Sequence, residues 1–195
     1  DNTAFGYQAL DVCTTAGDNT AVGSGSLGNT TTGQSNTAVG KFSLAANTTA
    51  NNNTGIGNQC LESNTTGADN TAVGQSAMED NTTGTGNVAI GHDALEKNTT
   101  ASNNTAIGLE ALHANTTGTN NIAIGKGALD ANTTNNRNVA IGNDALGANN
   151  GASDNTAIGH EAMLVNTSGN SNVAVGKDAL HSNTTASNNT AVGHD

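Results

Sequence analysis

The chain has 195 residues, a formal net charge of −11 and 2% aromatic residues. It contains 25 glycines and neither proline nor tryptophan, which excludes an ordinary globular core of large side chains. The negative charge disfavours nucleic acid and anionic membranes as partners.

One seventeen-residue phrase recurs through the chain, as in NTAIGLEALHANTTGTN at residues 104–120. A disordered tract needs no fixed spacing, so the period indicates a folded array whose units contact their neighbours in register. We number repeat positions 1 to 17 and call each repeat a coil. Twelve asparagines at a spacing of 17 residues, with no insertion or deletion, occupy position 1 of coils 1 to 12: Asn2, Asn19, Asn36, Asn53, Asn70, Asn87, Asn104, Asn121, Asn138, Asn155, Asn172 and Asn189.

Positions 1 to 5 predict a β-strand. They read Asn, Thr/Val/Ile, Ala, Val/Ile and Gly, as in NVAIG at residues 138–142, where β-branched residues alternate with small ones. Position 5 is glycine in all twelve copies, which indicates a positive φ or a close backbone approach at a corner.

The rest of the repeat predicts a second short strand or bend and then turns. Positions 8 and 9 hold a small residue followed by Leu or Met, and we expect the large side chain at position 9 to meet that at position 4. Positions 12 to 14 are mostly Asn-Thr-Thr, and positions 15 to 17 are rich in turn-forming residues. Glycine and Asn-Thr-Thr interrupt every helical run, whereas asparagines at positions 1 and 12 can form ladders.

The predicted fold class is therefore all-β, a parallel β-solenoid or β-roll of 17-residue coils. Successive strands pair at about 4.8 Å, so the coils make a rod roughly 55 Å long. Residues 1–195 are predicted to form a single uncapped array of eleven full repeats plus a partial one, part of a longer fibre.

Charged residues occupy only part of the repeat. All sixteen acidic residues, all five basic residues and all five histidines fall at positions 6, 7, 10, 11 or 17, which we predict to face water as stripes along the rod. Apolar burial at positions 4 and 9 falls short of the entropy cost of ordering the chain. We therefore expect rods to associate side by side, with the small alanines at position 3 allowing close approach.

The phrases NTAFGYQAL at residues 2–10, NTAVGQSAM and NTAIGLEAL, with the trailing NTTG, resemble repeats of bacterial and phage tail-fibre-type surface proteins. The strings VAIG and AVG are similar to the head repeats of trimeric autotransporter adhesins. The resemblance covers essentially the whole chain. It implies a homotrimer of parallel left-handed β-rolls that serves as the stalk or head of an extracellular adhesive fibre, on a cell surface or a virion, with surface glycans as further partners.

Two columns of carboxylates are the candidate cation sites. Glu62, Glu79 and Glu96 share position 10, and the weak metal candidates Asp144, Glu161, Asp178 and Asp195 share position 7. Carboxylates about 4.8 Å apart repel by roughly 1 kcal/mol in water, which Lys177 or a Ca²⁺ ion would relieve. A solvated acidic stripe is the main interpretation. Three histidines share position 6 but never lie in adjacent coils, so we expect surface residues rather than joint metal ligands: His92, His160 and His194.

Asparagines and cysteines suggest two modifications. Candidate glycosylation acceptors are Asn29, Asn47, Asn64, Asn81, Asn98, Asn115, Asn132, Asn166 and Asn183. A glycan on every coil would crowd at about 4.8 Å, so these residues are interpreted first as turn and ladder residues, with partial glycosylation as the alternative. Cys13 and Cys60 lie nearly three coils apart, which exceeds the reach of a disulfide. We predict free packed thiols, with an interchain bridge as the alternative.

The predicted function is a structural segment of an extracellular fibre or filament that gives length, rigidity and adhesion, without a cofactor. Catalysis is not predicted, because no copy of the repeat deviates from the common pattern in a way that would supply a nucleophile with its base, or a loop over a cleft.

Two alternatives remain, a cation-binding extracellular β-roll and an ice-binding β-solenoid. Threonines at positions 13 and 14 are adjacent and so face opposite ways. The threonine column at position 2 is interrupted by Val88, Ile122, Val139 and Val173.

Overall fold

Every repeat contributes one three-residue β-strand. The computed structural model describes residues 1–194, and its strands occupy positions 2 to 4 of each coil. They are β1 Thr3–Phe5, β2 Thr20–Val22, β3 Thr37–Val39, β4 Thr54–Ile56, β5 Thr71–Val73, β6 Val88–Ile90, β7 Thr105–Ile107, β8 Ile122–Ile124, β9 Val139–Ile141, β10 Thr156–Ile158, β11 Val173–Val175 and β12 Thr190–Val192. β-branched side chains at both outer positions of β2 to β12, and Thr3 and Phe5 in β1, favour this extended backbone. Residues 1–194 contain no helix long and apolar enough to cross a lipid bilayer.

The strands pair in parallel and in sequence order, β1 to β12, to form one twelve-stranded sheet. The register is one repeat per rung: Ala89 pairs with Ala106, and Ile90 pairs with Ile107. This arrangement confirms the parallel β-solenoid of 17-residue coils. The left-handed sense of the coil and the trimer stay predictions.

The interior of the coil is narrow and is filled by few positions. Leu or Met at position 9 is fully buried from coil 2 to coil 10, beside the small residues of positions 3 and 8. The backbone at position 9 is left-handed, with φ of 53° at Leu112 and 54° at Leu95. The chain therefore bends around its largest core side chain, and the predicted second strand or bend is a bend.

The prediction that position 4 packs against position 9 in the core is wrong. Ile90 is 40% exposed, whereas Ala89 beside it is fully buried. Neighbouring residues of a strand point to opposite sides, and the position-9 side chain leaves room inside only for a methyl group. For the same reason, the position-3 alanines cannot form a seam between rods.

Asparagine ladders run through the interior, as predicted. At position 1, the backbone N–H of Asn104 donates to Oδ1 of Asn87 at 2.9 Å. At position 12, Nδ2 of Asn98 donates to Oδ1 of Asn81 at 2.7 Å and to the carbonyl of Ala101 at 3.1 Å. These contacts satisfy polar groups that burial would otherwise destabilise.

The position-5 glycines meet both predicted requirements. Gly91 has a φ of +137°, and a Cβ added to it would lie 2.4 Å from the carbonyl oxygen of Gly108 on the next coil. Any larger residue would collide with backbone, which cannot rotate away. The corner after each strand therefore requires glycine.

Charged residues lie where the sequence predicts. No described Asp, Glu, Lys, Arg or His is buried, and the buried polar side chains are Asn, Ser and Thr. The rod thus carries its net charge on the half of the coil outside the strand.

Candidate functional site

One side of the rod is a sheet surface that carries no charge. We call the side chains at positions 2 and 4 of all coils the β-branched face. Position 4 is a Val or Ile in every coil except the first, where it is Phe5, and position 2 is a Thr in eight coils. Ile56, Ile122 and Ile158 on this face are 40%, 38% and 37% exposed.

The β-branched face is regular in both directions. Like side chains repeat along the axis about every 4.8 Å, and the two columns lie about 7 Å apart because one strand residue separates them. The face covers roughly 500 Å² over the length of the rod. The apolar part of this face is the position-4 column, since position 2 is mostly Thr. Exposed apolar patches on soluble proteins are often interaction sites.

The charged positions outside the strand form the acidic stripes, and three of the five Lys and Arg residues there are held in ion pairs: Lys97, Arg137 and Lys177. Lys97 lies 3.3 Å from Asp80 and also pairs with Glu96. Burial would raise the pKa of Glu96, but the contacts with Lys97 and His113 outweigh it and lower that pKa. On Asp130, burial dominates and raises the pKa, with help from the charges of Glu110 and Asp144. The contacts of Lys97 with Asp80 and of His113 with Glu96 each join two adjacent coils.

A second ion pair joins two coils at position 17. Arg137 donates from Nε and Nη2 to the two carboxylate oxygens of Asp154, at 2.6 and 2.9 Å. The guanidinium hydrogen bond lowers the pKa of Asp154.

Only part of the predicted position-7 cation column comes together. Glu161 and Asp178 form a cluster with His160 in which one ligand atom from each lies within 4.8 Å of the others. Asp144 lies one coil below and is not in this cluster. The fourth candidate, Asp195, lies outside the described residues. Lys177 pairs with Asp178, as the sequence suggests, and its hydrogen bond lowers the pKa of that carboxylate.

The histidines also contact acidic residues at other repeat positions of the neighbouring coil, which a comparison of identical positions does not reveal. Nε2 of His181, at position 10 of coil 11, lies 3.7 Å from Oε2 of Glu161. The other carboxylate oxygen of Glu161, Oε1, lies 3.7 Å from Nε2 of His160. His160 and His181 are 21 residues apart, and so are His92 and His113. That recurring spacing is the sequence signal that could have identified the cluster.

The position-12 asparagines face the interior. Seven of the candidate acceptors are fully buried: Asn47, Asn64, Asn81, Asn98, Asn115, Asn132 and Asn166. Their Nδ2 groups donate within the ladder or to a nearby carbonyl. Asn183 is half-buried, and Asn29, at position 11, is exposed. The folded rod therefore hides most of this column from a glycosyltransferase.

Both cysteines are free thiols. Cys60 is buried at position 8, donates to the carbonyl of Ala72 at 3.2 Å, and has its pKa raised to about 12 by burial. Cys13 replaces asparagine at position 12 of coil 1 and is half-buried. Neither thiol has the electropositive surroundings of a reactive cysteine.

A cavity of about 680 Å³ opens at coil 11, which coil 12 covers only from position 1 to position 6 in the described residues. Its lining includes Leu180, Asn183 and Ala191 together with Glu161, Asp178 and His181. Equivalent side chains in other coils stack against a following coil. The cavity is therefore an uncovered cross-section of the core rather than a shaped pocket.

No protein-family model, curated protein or solved structure matches the chain.

Proposed function

We propose that the chain is a structural segment of an extracellular fibre, on a cell surface or a virion. The observation that carries this proposal is the uninterrupted stack of twelve rungs, each in register with the next. Such a stack adds length at a constant cross-section, because each coil contacts only its neighbours. The charged stripes oppose nonspecific aggregation, and the exposed positions offer surface for adhesion to glycans.

The proposed fibre assembles as a homotrimer through the β-branched face. Burying this face desolvates no charge, since positions 1 to 5 carry none. Three faces of roughly 500 Å² would together bury roughly 1,500 Å² in the trimer, or about 500 Å² at each of its three pairwise contacts. The partner that fits this surface is thus another copy of the chain.

Association is tested by placing charge in the middle of the face. We expect the unaltered chain to sediment as a trimer and to form thin uniform rods in negative stain. The double variant Ile90→Glu/Ile124→Glu should be monomeric at micromolar concentration, because burying unpaired carboxylates costs several kcal/mol. Its far-ultraviolet circular dichroism should be unchanged.

The matched control is Thr100→Glu/Thr134→Glu, at the exposed position 14 of the same coils. It should remain trimeric. A monomeric unaltered chain, or equal dissociation of both double variants, would refute association through the β-branched face.

Ice binding is the second candidate, and the structure strengthens it in one respect. Positions 2 and 4 share one face, and the Val and Ile residues that interrupt the threonine column have the same branching at Cβ as Thr. The threonines of position 13 are engaged elsewhere: Oγ1 of Thr99 donates to the carbonyl of Thr116 at 3.1 Å.

Ice binding and trimer formation compete for the same face. If the face binds ice, the monomeric chain at micromolar concentration should show thermal hysteresis and shape ice crystals. Thr105→Tyr should abolish both effects, and Thr117→Tyr at position 14 should not. A chain without hysteresis rules out this candidate and leaves the fibre proposal unaffected.

A further inference from the structure

Four of the five histidines belong to one motif that occurs twice. Its pattern is His-(Asp/Glu)-x16-(Asp/Glu)-x2-His, found as His92-Asp93 with Glu110 and His113, and again as His160-Glu161 with Asp178 and His181. In each copy it joins positions 6 and 7 of one coil to positions 7 and 10 of the next. Parallel stacking therefore places two imidazoles and two carboxylates on one patch of surface.

In coils 10 and 11 these side chains converge. Ligand atoms of His160, Glu161 and Asp178 all lie within 4.8 Å of one another, and His181 lies 3.7 Å from the second oxygen of Glu161. Glu161 is thus central, with one imidazole near each of its oxygens. Two of the ligands come from each coil.

Asp178 presents an oxygen with no protein partner. Its Oδ2 pairs with Lys177, whereas its Oδ1 is buried and has no hydrogen-bond partner among the described residues. A buried carboxylate oxygen without a partner is destabilising unless a cation or another donor binds it.

We propose that His160, Glu161, Asp178 and His181 form a binding site for a divalent transition metal of the Zn²⁺ class. Two imidazole nitrogens and two carboxylate oxygens are a donor set that Zn²⁺ accepts in tetrahedral geometry, with bonds of about 2.0 to 2.2 Å. Imidazole favours Zn²⁺, Cu²⁺ or Ni²⁺ over Ca²⁺, which takes oxygen ligands.

Three of the four ligands need little movement to close around a metal. Neighbouring ligand atoms of a tetrahedral Zn²⁺ ion lie about 3.3 Å apart, so the separations among His160, Glu161 and Asp178 must shrink by about 1.5 Å at most. His181 lies outside this cluster of three and joins it through a change of rotamer. The side chains of His160 and His181 are 49% and 37% exposed and can change rotamer without disturbing the core. The metal would join coils 10 and 11 from outside, a role separate from the proposed fibre function.

The first copy of the motif is held in a different arrangement. His113 lies 2.9 Å from Glu96 and 3.6 Å from Asp130, its neighbours along position 10. The residue of coil 10 equivalent to Glu96 is Leu164, which offers no charge, and His181 reaches Glu161 instead. Coils 6 and 7 therefore supply a matched control with the same residue types.

The test is titration of the full-length chain, carrying no polyhistidine tag, with ZnCl₂ in a calorimeter. One saturable site of micromolar affinity is expected, with no comparable heat from CaCl₂. Co²⁺ at the same site should give the intense visible absorption of tetrahedral coordination, and Zn²⁺ should displace it.

Variants locate the site. His160→Ala, Glu161→Gln and His181→Ala should each weaken Zn²⁺ binding by roughly tenfold or more, while His92→Ala and His113→Ala should leave it unchanged. Circular dichroism should be the same for all five, since each side chain is at least partly exposed. The absence of saturable Zn²⁺ binding, preference for Ca²⁺, or equal weakening by the coil 6 and 7 variants would overturn the proposal.

Discussion

Replacing Gly91 by alanine is expected to lower the free energy of unfolding by about 3 to 5 kcal/mol. Two costs add at this corner. The φ of +137° is one that L side chains rarely adopt, and the new Cβ would lie 2.4 Å from the carbonyl oxygen of Gly108 and 2.7 Å from its carbonyl carbon. Relief would require the two coils to separate locally, which would break the adjacent strand hydrogen bonds.

The matched control is Gly118→Ala, at position 15 of coil 7. Its φ is not in the left-handed region, although an added Cβ would lie 2.4 Å from the carbonyl oxygen of Asn135, as close as the contact at Gly91. Alanine already occupies position 15 as Ala50, Ala101 and Ala152 in other coils, so the turn can shift to take a methyl group. We expect a loss of about 1 to 2 kcal/mol, smaller than that of Gly91→Ala. Guanidinium denaturation followed by circular dichroism measures both variants. Equal losses of stability would show that crowding between coils, rather than the corner, limits position 5.

Replacing Asn98 by leucine is expected to cost about 3 to 4 kcal/mol, although the residue is fully buried and leucine is more apolar. The Asn98 amide donates to Asn81 and Ala101, and its Oδ1 accepts from Nδ2 of Asn115 at 3.2 Å. Leucine would leave these groups of the neighbouring residues without that partner inside the rod.

Asn98→Thr separates hydrogen bonding from shape. Thr30 occupies the same position in coil 2, where its hydroxyl donates to the carbonyl of Asn47 at 3.2 Å and accepts from Nδ2 of Asn47 at 3.3 Å. Threonine at residue 98 should therefore cost about half as much as leucine. The same denaturation assay measures the free energy of unfolding of both variants. A leucine variant as stable as the threonine variant would contradict a ladder that is held by hydrogen bonds.

The strict spacing of Asn2 to Asn189 made the coil and its register predictable, because a stacked array tolerates no change in length. The charged positions were predictable for a similar reason, since an unpaired charge cannot be buried at low cost. The Gly91 corner and the asparagine ladders also follow from residue chemistry repeated at a fixed position.

The orientation of the strand could not be predicted from apolar character alone. Positions 2, 3 and 4 all carry residues that a core accepts, as in Val88, Ala89 and Ile90. The side of the strand that faces the core is decided by the space that Leu95 at position 9 leaves inside the coil. That space depends on the left-handed backbone of Leu95. Few non-glycine residues adopt that conformation, and no local signal marks it in a leucine.

The histidine cluster is not evident from the sequence, because its ligands lie at different repeat positions of neighbouring coils. A side chain at position 6 also lies near position 7 of the next coil, and a side chain at position 10 lies near position 7 of the preceding coil. Sequence spacing suggests the pairing of His160 with His181, but which copy of the motif converges depends on neighbours such as Leu164 and Glu96.

The parallel ladder has a mechanical consequence. Hydrogen bonds between rungs run along the long axis, so tension applied to the two ends loads the outermost rung first and spares the rest. Each rung that detaches releases seventeen residues, which stretch to about 58 Å where the folded rung occupied about 4.8 Å. A strained tether of this kind would lengthen stepwise, about twelvefold, before any covalent bond had to bear the full load.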